Sequence, residues 1–257
     1  MGLTPPAKLE IRELSISFAS KPRVHAVDAV SIHVAPGETV CLLGPSGCGK
    51  SSVLRAVAGF VRPDSGEVLV DGRVVSEPGA DRGMVFQEYA LFPWHTVRSN
   101  IEFGLRKRVP DRDERQAVVR SWIRKVKLEG FEHAYPKQLS GGMRQRVAIA
   151  RAMAPDPQVL LMDEPFGALD AQTRVLMQEM LEGLISGSNG AVVFVTHDID
   201  EALIVGDTLC IMSKRPGRLL ETFRNPFPRP RSAHIFEHRD YGPAKARIFE
   251  TIRRQID

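Results

Sequence analysis

A glycine-rich stretch with the sequence GPSGCGKSS occupies residues 44–52 and matches the spacing G-x-x-x-x-G-K-[ST]. It stands between an apolar strand pattern and a helical pattern, which is the context that a phosphate-binding loop requires. Glycines there let backbone N–H groups curl around phosphate oxygens, and the helix N-terminus favours negative charge. We predict that Lys50 reaches the β- and γ-phosphates of a nucleotide and that the Ser51 hydroxyl ligates Mg²⁺. The predicted phosphate-contacting residues are Gly44, Pro45, Ser46, Gly47, Cys48, Gly49, Lys50, Ser51 and Ser52.

A pair of acidic residues follows the apolar run VLLM at residues 159–162. Asp163, at the carboxyl end of the predicted strand, is expected to hold Mg²⁺ directly or through water. Glu164 would point to the position from which water attacks the γ-phosphate, where a general base contributes on the order of 10²–10⁴ in rate. An isolated Asp-Glu pair at a strand end is usually just solvated. The phosphate-binding loop upstream favours the catalytic interpretation.

Two further polar residues are candidates for the same site. His197 also follows an apolar strand pattern, so it should reach the same edge of the sheet, contact the γ-phosphate and help to orient Glu164 and the water. A lone histidine after a strand is more often structural. Gln87, in MVFQEYALFPW, could offer its amide oxygen to Mg²⁺ and sense the γ-phosphate. A polar loop residue is the alternative interpretation of Gln87.

The sequence LSGG at residues 139–142 has the chemistry of a second anion-binding turn. Ser140 is a good N-cap, and Gly141 and Gly142 expose backbone N–H groups at the start of a helix that ends before Pro155. The plain interpretation is a capped helix. Because the chain has one phosphate-binding loop, we hypothesise that this turn completes the nucleotide site of another copy. Two chains would then pack head to tail, with each ATP held between one loop and the opposite LSGG turn.

The composition is that of an ordinary globular protein, with 257 residues of which 43% are hydrophobic and 26% charged. No apolar stretch is long enough to cross a bilayer, and the N-terminus lacks the apolar segment of an export signal. The three cysteines are scattered and match no zinc pattern, which indicates reduced thiols in a cytosolic protein. The net charge of +4 is spread over mixed Lys, Arg, Asp and Glu, so no nucleic-acid groove is indicated.

Alternation of apolar and polar residues predicts the strands. LEIRELSISF near the N-terminus is typical of an antiparallel sheet. GEVLVDGRVV is expected to form two strands around an Asp71-Gly72 hairpin turn. The apolar runs VLLM and VVFV are typical of strands covered on both faces, which favours a parallel central sheet.

A helical pattern interrupts this α/β core at about residues 88–155. We expect a nucleotide-binding domain over residues 1–225 with this helical subdomain inserted in it. The Pro-rich chain that follows is expected to leave the core as a linker to a last helix, both within residues 226–257. The predicted apolar face of the clearest helix in the insert consists of Val118, Trp122 and Val126.

The ordered set of GPSGCGKSS, Gln87, LSGGM, DEPFGALD and THD strongly resembles the ATP-binding subunits of ABC transporters. The resemblance covers about residues 9–220, and the ordered set is more specific than any single motif. It implies a P-loop NTPase of the α/β class, with a RecA-like core, a parallel central sheet, an N-terminal antiparallel β subdomain and an inserted helical subdomain. It also implies ATP and Mg²⁺ as ligands and an ATPase activity coupled to transport.

The resemblance further implies roles for single residues. Phe18 would stack on adenine, Asp170 would lie at the seam between two copies, and Gln87 would link the nucleotide state to the membrane subunits. Met143 occupies the position where the family signature usually has Gln. This difference puts in doubt only a contact that the Gln amide would make in the shared site. The residues implied to contact the ATP of the opposite subunit are Ser140, Gly141, Gly142 and Met143.

Finer features, among them THDIDEAL and PRPR, resemble the nitrate, sulfonate and taurine import branch. There a homodimer would bind two membrane permease subunits at the cytoplasmic face of the inner membrane, as a peripheral protein. A periplasmic or lipid-anchored solute-binding protein would select the solute. Taurine or another alkanesulfonate is the first expectation, followed by nitrate, bicarbonate, aromatic carboxylates and pyrimidine precursors. The alternatives are an ABC ATPase acting on DNA or ribosomes, an exporter subunit, and a P-loop kinase.

Overall fold

Ten strands and seven α-helices occur in the part of the chain that the computed structural model describes, residues 7–19 and 22–254. None of the helices in these ranges is both long and apolar enough to cross a membrane. The strands are β1 (Leu9–Phe18), β2 (Val24–Val34), β3 (Thr39–Leu43), β4 (Ser65–Val70), β5 (Arg73–Val74), β6 (Arg82–Val85), β7 (Val159–Asp163), β8 (Ala191–Thr196), β9 (Thr208–Met212) and β10 (Leu219–Arg224). The helices are α1 (Lys50–Val57), α2 (Val97–Leu105), α3 (Arg112–Lys125), α4 (Gly141–Met153), α5 (Ala171–Ile185), α6 (Ile199–Val205) and α7 (Tyr241–Arg253).

The central sheet has the strand order β10-β9-β3-β8-β7-β6. Its strands β9, β3, β8, β7 and β6 run parallel, and β10 pairs antiparallel with β9 at one edge. Successive residues of β3 enter two different apolar clusters, Val40 and Leu42 on the α1 side and Cys41 and Leu43 on the α5 and α6 side. Because both faces of β3 are covered by apolar clusters, all five of its residues are buried and four of them are apolar. The predicted parallel central sheet is confirmed.

The second sheet is antiparallel and has the order β2-β1-β4-β5. The apolar side chains of β1 enter the same core as α1, so this sheet packs on the α1 side of the molecule. Asp71 and Gly72 have φ values of 47° and 73° and connect the paired residues Val70 and Arg73. Two successive left-handed residues are what a two-residue hairpin turn requires. The predicted hairpin is confirmed.

Helices α2, α3 and α4 form a helical insert with an apolar cluster of its own. The predicted face of α3 is wrong by one position: Val119 and Ile123 are buried, whereas Val118 and Trp122 are only partly buried. Val126 is buried as predicted. Because both candidate faces are apolar, spacing alone does not distinguish them. The indole carries a polar N–H and stays at the rim, while the smaller aliphatic side chains fill the interior.

The segment after β10 packs against the core, contrary to the predicted linker. Phe227 and Ile235 are buried in the same cluster as Leu43, and Ile248 of α7 is fully buried there. A stretch rich in proline and arginine is expected to be exposed to solvent, and this expectation led to the predicted linker. Its apolar residues nevertheless pack into the cluster that contains Leu43.

An arginine clamp, formed by Arg229, Arg231, Asp207 and Glu182, anchors this segment at the amino edge of the central sheet. Arg229 and Arg231 each donate to the carboxylate of Asp207 at 2.8 Å, and Arg229 Nη1 lies 3.2 Å from Oε2 of Glu182. Burial raises the pKa of Asp207, but hydrogen bonds from Arg229, the Thr39 amide and Arg231 outweigh burial and leave that pKa below its usual value. The two cations are therefore matched by two carboxylates, and the segment is part of the fold.

Replacing Arg231 by Met is expected to lower the free energy of unfolding by about 3 kcal/mol, because breaking a buried ion pair leaves a charge without its partner. The Arg231 side chain is only 4% exposed. The measurement is urea unfolding of the full chain, with Arg239→Met as the control because the Arg239 side chain is 90% exposed. The difference in unfolding free energy between Arg231→Met and the wild type should become smaller in acid. The Asp207 carboxyl has a lowered pKa, so it stabilises the fold above its unfolded pKa of about 3.9 and no longer does so below its folded pKa. Equal unfolding midpoints for the two variants would contradict the clamp.

Candidate nucleotide-binding site

The phosphate-binding loop connects the end of β3 to the start of α1, in a conformation that depends on its glycines. Gly47 and Gly49 have φ values of 76° and 107°, in the left-handed region. A Cβ atom on Gly49 would lie 2.6 Å from the carbonyl oxygen of Ala26, so a larger residue does not fit. The loop thus delivers its backbone directly to the N-terminus of α1, the arrangement that binds phosphate groups.

Lys50 lies within the curve of this loop and is only 4% exposed. Its ammonium donates to the carbonyl oxygens of Gly44 at 2.8 Å and Pro45 at 3.1 Å. Hydrogen bonds from an ammonium to an ionised oxygen are stronger than those to a neutral carbonyl. An anion entering the loop would therefore compete for the Lys50 donors. The side chain is already in place to receive it.

Ser51, in the first turn of α1, meets Asp163 at the end of β7. The Ser51 hydroxyl donates to Oδ1 of Asp163 at 2.8 Å. Burial raises the pKa of Asp163, and the hydrogen bond from Ser51 partly offsets that increase. A hydroxyl oxygen in contact with a carboxylate is a donor set that a hard divalent cation accepts. These two residues could hold Mg²⁺, as the sequence predicts.

Glu164 has a backbone conformation that is unusual for a residue with a side chain. Its φ is 43°, in the left-handed region, and its amide donates to the carbonyl of Val195 at 3.0 Å. This turn sends two successive carboxylates to different partners. The carboxylate of Asp163 contacts Ser51, whereas Oε2 of Glu164 lies 3.2 Å from Nδ1 of His197.

The pair formed by Glu164 and His197 lies at the open edge of the sheet, with side chains 18% and 56% exposed. A carboxylate in this position can accept a proton from water, and an imidazole at hydrogen-bond distance can keep it oriented. The structure thus brings Lys50, Ser51, Asp163, Glu164 and His197 to one edge of the sheet.

The LSGG turn begins α4 and packs against α5. The Ser140 hydroxyl accepts from the Met143 amide at 3.3 Å, which confirms Ser140 as the N-cap. A Cβ atom on Gly142 would lie 2.8 Å from Cγ2 of Thr173 in α5, so the absence of a side chain permits this close packing. The first amides of a helix lack intrahelical acceptors, and Ser140 itself is exposed. The turn can therefore receive an anion from outside the chain.

Three further predicted site residues lie at the end of β1, just after β6 and at the start of α5. Phe18 ends β1 and is 37% exposed, which leaves its ring available for stacking. Gln87 is exposed and follows β6 after one intervening residue. Asp170 is the N-cap of α5 and accepts from the Thr173 amide at 3.0 Å, a hydrogen bond that lowers the pKa of Asp170.

Arg174 in α5 belongs to none of the sequence motifs, but it contacts two segments near the site. Its guanidinium donates to the carbonyl of Leu169 at 3.1 Å and lies 3.6 Å from Oδ2 of Asp198. It therefore connects the segment before α5 with the residue that follows His197. In the sequence Arg174 stands four residues after Asp170, one helical turn along the same face of α5.

Comparison with known proteins places these features in one family. The family model for ABC transporters matches residues 27–167. The taurine import ATP-binding protein TauB of Rhizobium johnstonii is 46% identical over 249 residues, which are 95% of each chain. The nitrate import ATP-binding protein NrtD of Synechocystis sp. is 48% identical over 212 residues, which are 82% of this chain and 80% of NrtD.

Solved structures agree with this assignment. The ATP-binding cassette MJ0796, seen as a dimer in a post-hydrolysis state bound to ADP and Pi, matches with a TM-score of 0.75 and 29% identity. The match covers 86% of this chain and 100% of that chain. The predicted fold class and the predicted nitrate, sulfonate and taurine import branch are thereby confirmed. This chain belongs to the ABC transporter family.

Proposed function

We propose that this chain is the ATP-hydrolysing subunit that supplies energy to a membrane importer. The observation that carries the proposal is the convergence of the phosphate-binding loop, the Ser51–Asp163 contact and the Glu164–His197 pair at one edge of the central sheet. Its similarity to the taurine and nitrate import ATP-binding proteins supports import of a small anion. Taurine or another alkanesulfonate is our first choice of solute, and nitrate is the second.

In this proposal the nucleotide phosphates occupy the loop of residues 44–52, and Lys50 donates to the β- and γ-phosphates. Ser51 and Asp163 would hold Mg²⁺ with Gln87 as a further oxygen donor, and the bound ion would supply positive charge against the phosphate oxygens. The described residues contain no group of three or more His, Cys, Asp and Glu side chains that could hold a metal. Magnesium at a nucleotide needs no such group, since it takes one or two carboxylates together with phosphate oxygens and water.

Glu164 is the general base of the proposed reaction. It takes a proton from a water molecule as the water oxygen attacks the γ-phosphorus and the bond to the ADP oxygen breaks. His197 keeps the Glu164 carboxylate oriented by donating from Nδ1 across the 3.2 Å contact. A further donor to the γ-phosphate requires that Nε2 also carries a proton. The products are ADP and free phosphate, without a phosphorylated acceptor.

A second copy of the chain completes the proposed site. The exposed turn at Ser140 would bind the γ-phosphate held by the opposite loop, and Phe18 would stack on the adenine. Asp170 lies beside the LSGG turn through its neighbour Thr173, which supports a place at the same seam. The dimeric state of the MJ0796 cassette supports a homodimer. ATP contacts both copies, so its binding favours the closed pair.

An aromatic groove near Gln87 is the proposed contact for the two permease subunits. It is lined by Phe60, Phe86, Phe92 and Phe103, and encloses about 380 Å³. Phe60 is 53% exposed, and Phe60 and Phe103 are among the large apolar side chains that remain open on this face. With a membrane partner over the groove, the chain would be a peripheral protein, in our proposal at the cytoplasmic face of the membrane. A solute-binding protein would act on the far side.

Replacing Glu164 by Gln is expected to lower the turnover of ATP by about 100- to 10,000-fold, because the amide cannot accept the proton. ATP should still bind, and the variant should accumulate as an ATP-bound dimer in light scattering. The matched control is Glu129→Gln, the same change at an exposed position. A Glu164→Gln chain that stays monomeric in saturating ATP would contradict the shared site.

Replacing Lys50 by Ala should weaken ATP binding about 10- to 100-fold, the equivalent of losing one charge-assisted contact. Equilibrium titration with labelled ATP measures the dissociation constant. The exposed Lys107 provides the control, since Lys107→Ala removes the same charge away from the loop. An unchanged dissociation constant for ATP in Lys50→Ala would contradict the assignment of Lys50 to the nucleotide phosphates.

A further inference from the structure

Helix α7 is tied to α6 by two donors and one acceptor. The Tyr241 hydroxyl donates to Oδ1 of Asp200, and the Lys245 ammonium lies 2.8 Å from Oδ2 of the same carboxylate. Asp200 lies in the first turn of α6. We call the contacts of Tyr241 and Lys245 with Asp200 the α6 tie.

The start of α6 determines where His197 lies. His197 stands between Thr196, which ends β8, and Asp198, which caps α6. The Asp198 carboxylate accepts from the amides of Asp200 and Glu201 at 2.8 Å and 3.2 Å, and the Asp198 amide donates to the Thr196 hydroxyl at 3.0 Å. A shift of Asp200 is thus transmitted through the cap to the residue next to His197.

Helix α6 depends on its neighbours because it has only 7 residues. Helices this short have little stability of their own. On its inner side, Glu201 is 5% exposed and accepts from Gln178 of α5 at 3.3 Å. On its outer side, the α6 tie holds Asp200, while the cap residue Asp198 lies 3.6 Å from Arg174 of α5. The position of the first turn is therefore held from two sides, one of which belongs to α7.

We propose that Tyr241 and Lys245 are positioning residues for ATP hydrolysis, which act through Asp200 and the start of α6 to hold His197 at Glu164. This inference rests on the proposed function. Neither side chain touches the nucleotide site, so α7 influences turnover from a distance. The C-terminal segment is then a part of the catalytic apparatus as well as of the fold.

The same helix offers a matched control at another place. The guanidinium of Arg247 lies 2.5 Å from Oε1 of Glu221 in β10, and the Thr251 hydroxyl donates to Oε2 at 2.8 Å. Like the α6 tie, this contact joins one cation and one hydroxyl of α7 to one carboxylate. It leads to an edge strand and not to the start of α6.

The first measurement compares Tyr241→Phe/Lys245→Met with Arg247→Met/Thr251→Val in the full chain. Partly exposed ion pairs add little stability, so both double variants should melt within about 4 °C of wild type. The first should lower kcat about 10-fold with little change in the KM for ATP, because a misplaced group costs rate while binding is kept. The second should leave both constants unchanged. Equal effects of the two double variants would overturn the inference.

The second measurement observes His197 directly in nitrogen-15 spectra of the full chain, with its imidazole signal identified by its loss in His197→Ala. The signal should move in Tyr241→Phe/Lys245→Met and stay in place in Arg247→Met/Thr251→Val. An unmoved signal would overturn the inference even if kcat fell. A wild-type chain that does not hydrolyse ATP, or unchanged turnover in His197→Ala, would instead contradict the proposed function.

Discussion

Leu43 of β3 lies level with Thr196 of β8, and Asp163 of β7 lies level with Val195, so three parallel strands end at one edge of the central sheet. Because the strands end level, the residues that follow them, among them Glu164 after β7 and His197 after β8, lie at the same edge. The Ser51–Asp163 hydrogen bond closes the edge across 112 residues of chain. A shift of register in any of the three strands would separate the phosphate-binding loop from the carboxylates that act beside it.

The groups at this edge differ in what their surroundings do to them. Lys50 and Asp163 are buried, and a buried charge needs hydrogen-bond partners. The loop carbonyls accept from the Lys50 ammonium, and the Ser51 hydroxyl donates to Asp163. Glu164 and His197 are more open and contact each other. In the proposed mechanism, the buried groups would hold the phosphates, and the more open pair would activate water where a second molecule can cover it.

Local chemistry explains how much of this was predictable. The loop glycines, the apolar strand ending in Asp163 and the Ser140 cap each depend on neighbouring residues, so spacing in the sequence revealed the fold, the loop and the N-cap. The face of α3 was misjudged because both candidate faces are apolar. The arginine clamp and the α6 tie join charges that lie 22 to 47 residues apart, and such pairs leave no periodic signal. Only the folded chain shows that the C-terminal segment belongs to the core.

The most direct test is chemical cross-linking between two differently tagged chains in the Glu164→Gln background, one carrying Ser46→Cys and the other Ser140→Cys. Both positions are exposed, whereas the natural cysteines are buried. If two copies clamp ATP head to tail, a short bis-maleimide should join the two tagged chains when ATP is present and not in its absence. Mixtures of like variants should give no such product. Failure to join position 46 of one chain to position 140 of another in saturating ATP would contradict the shared nucleotide site.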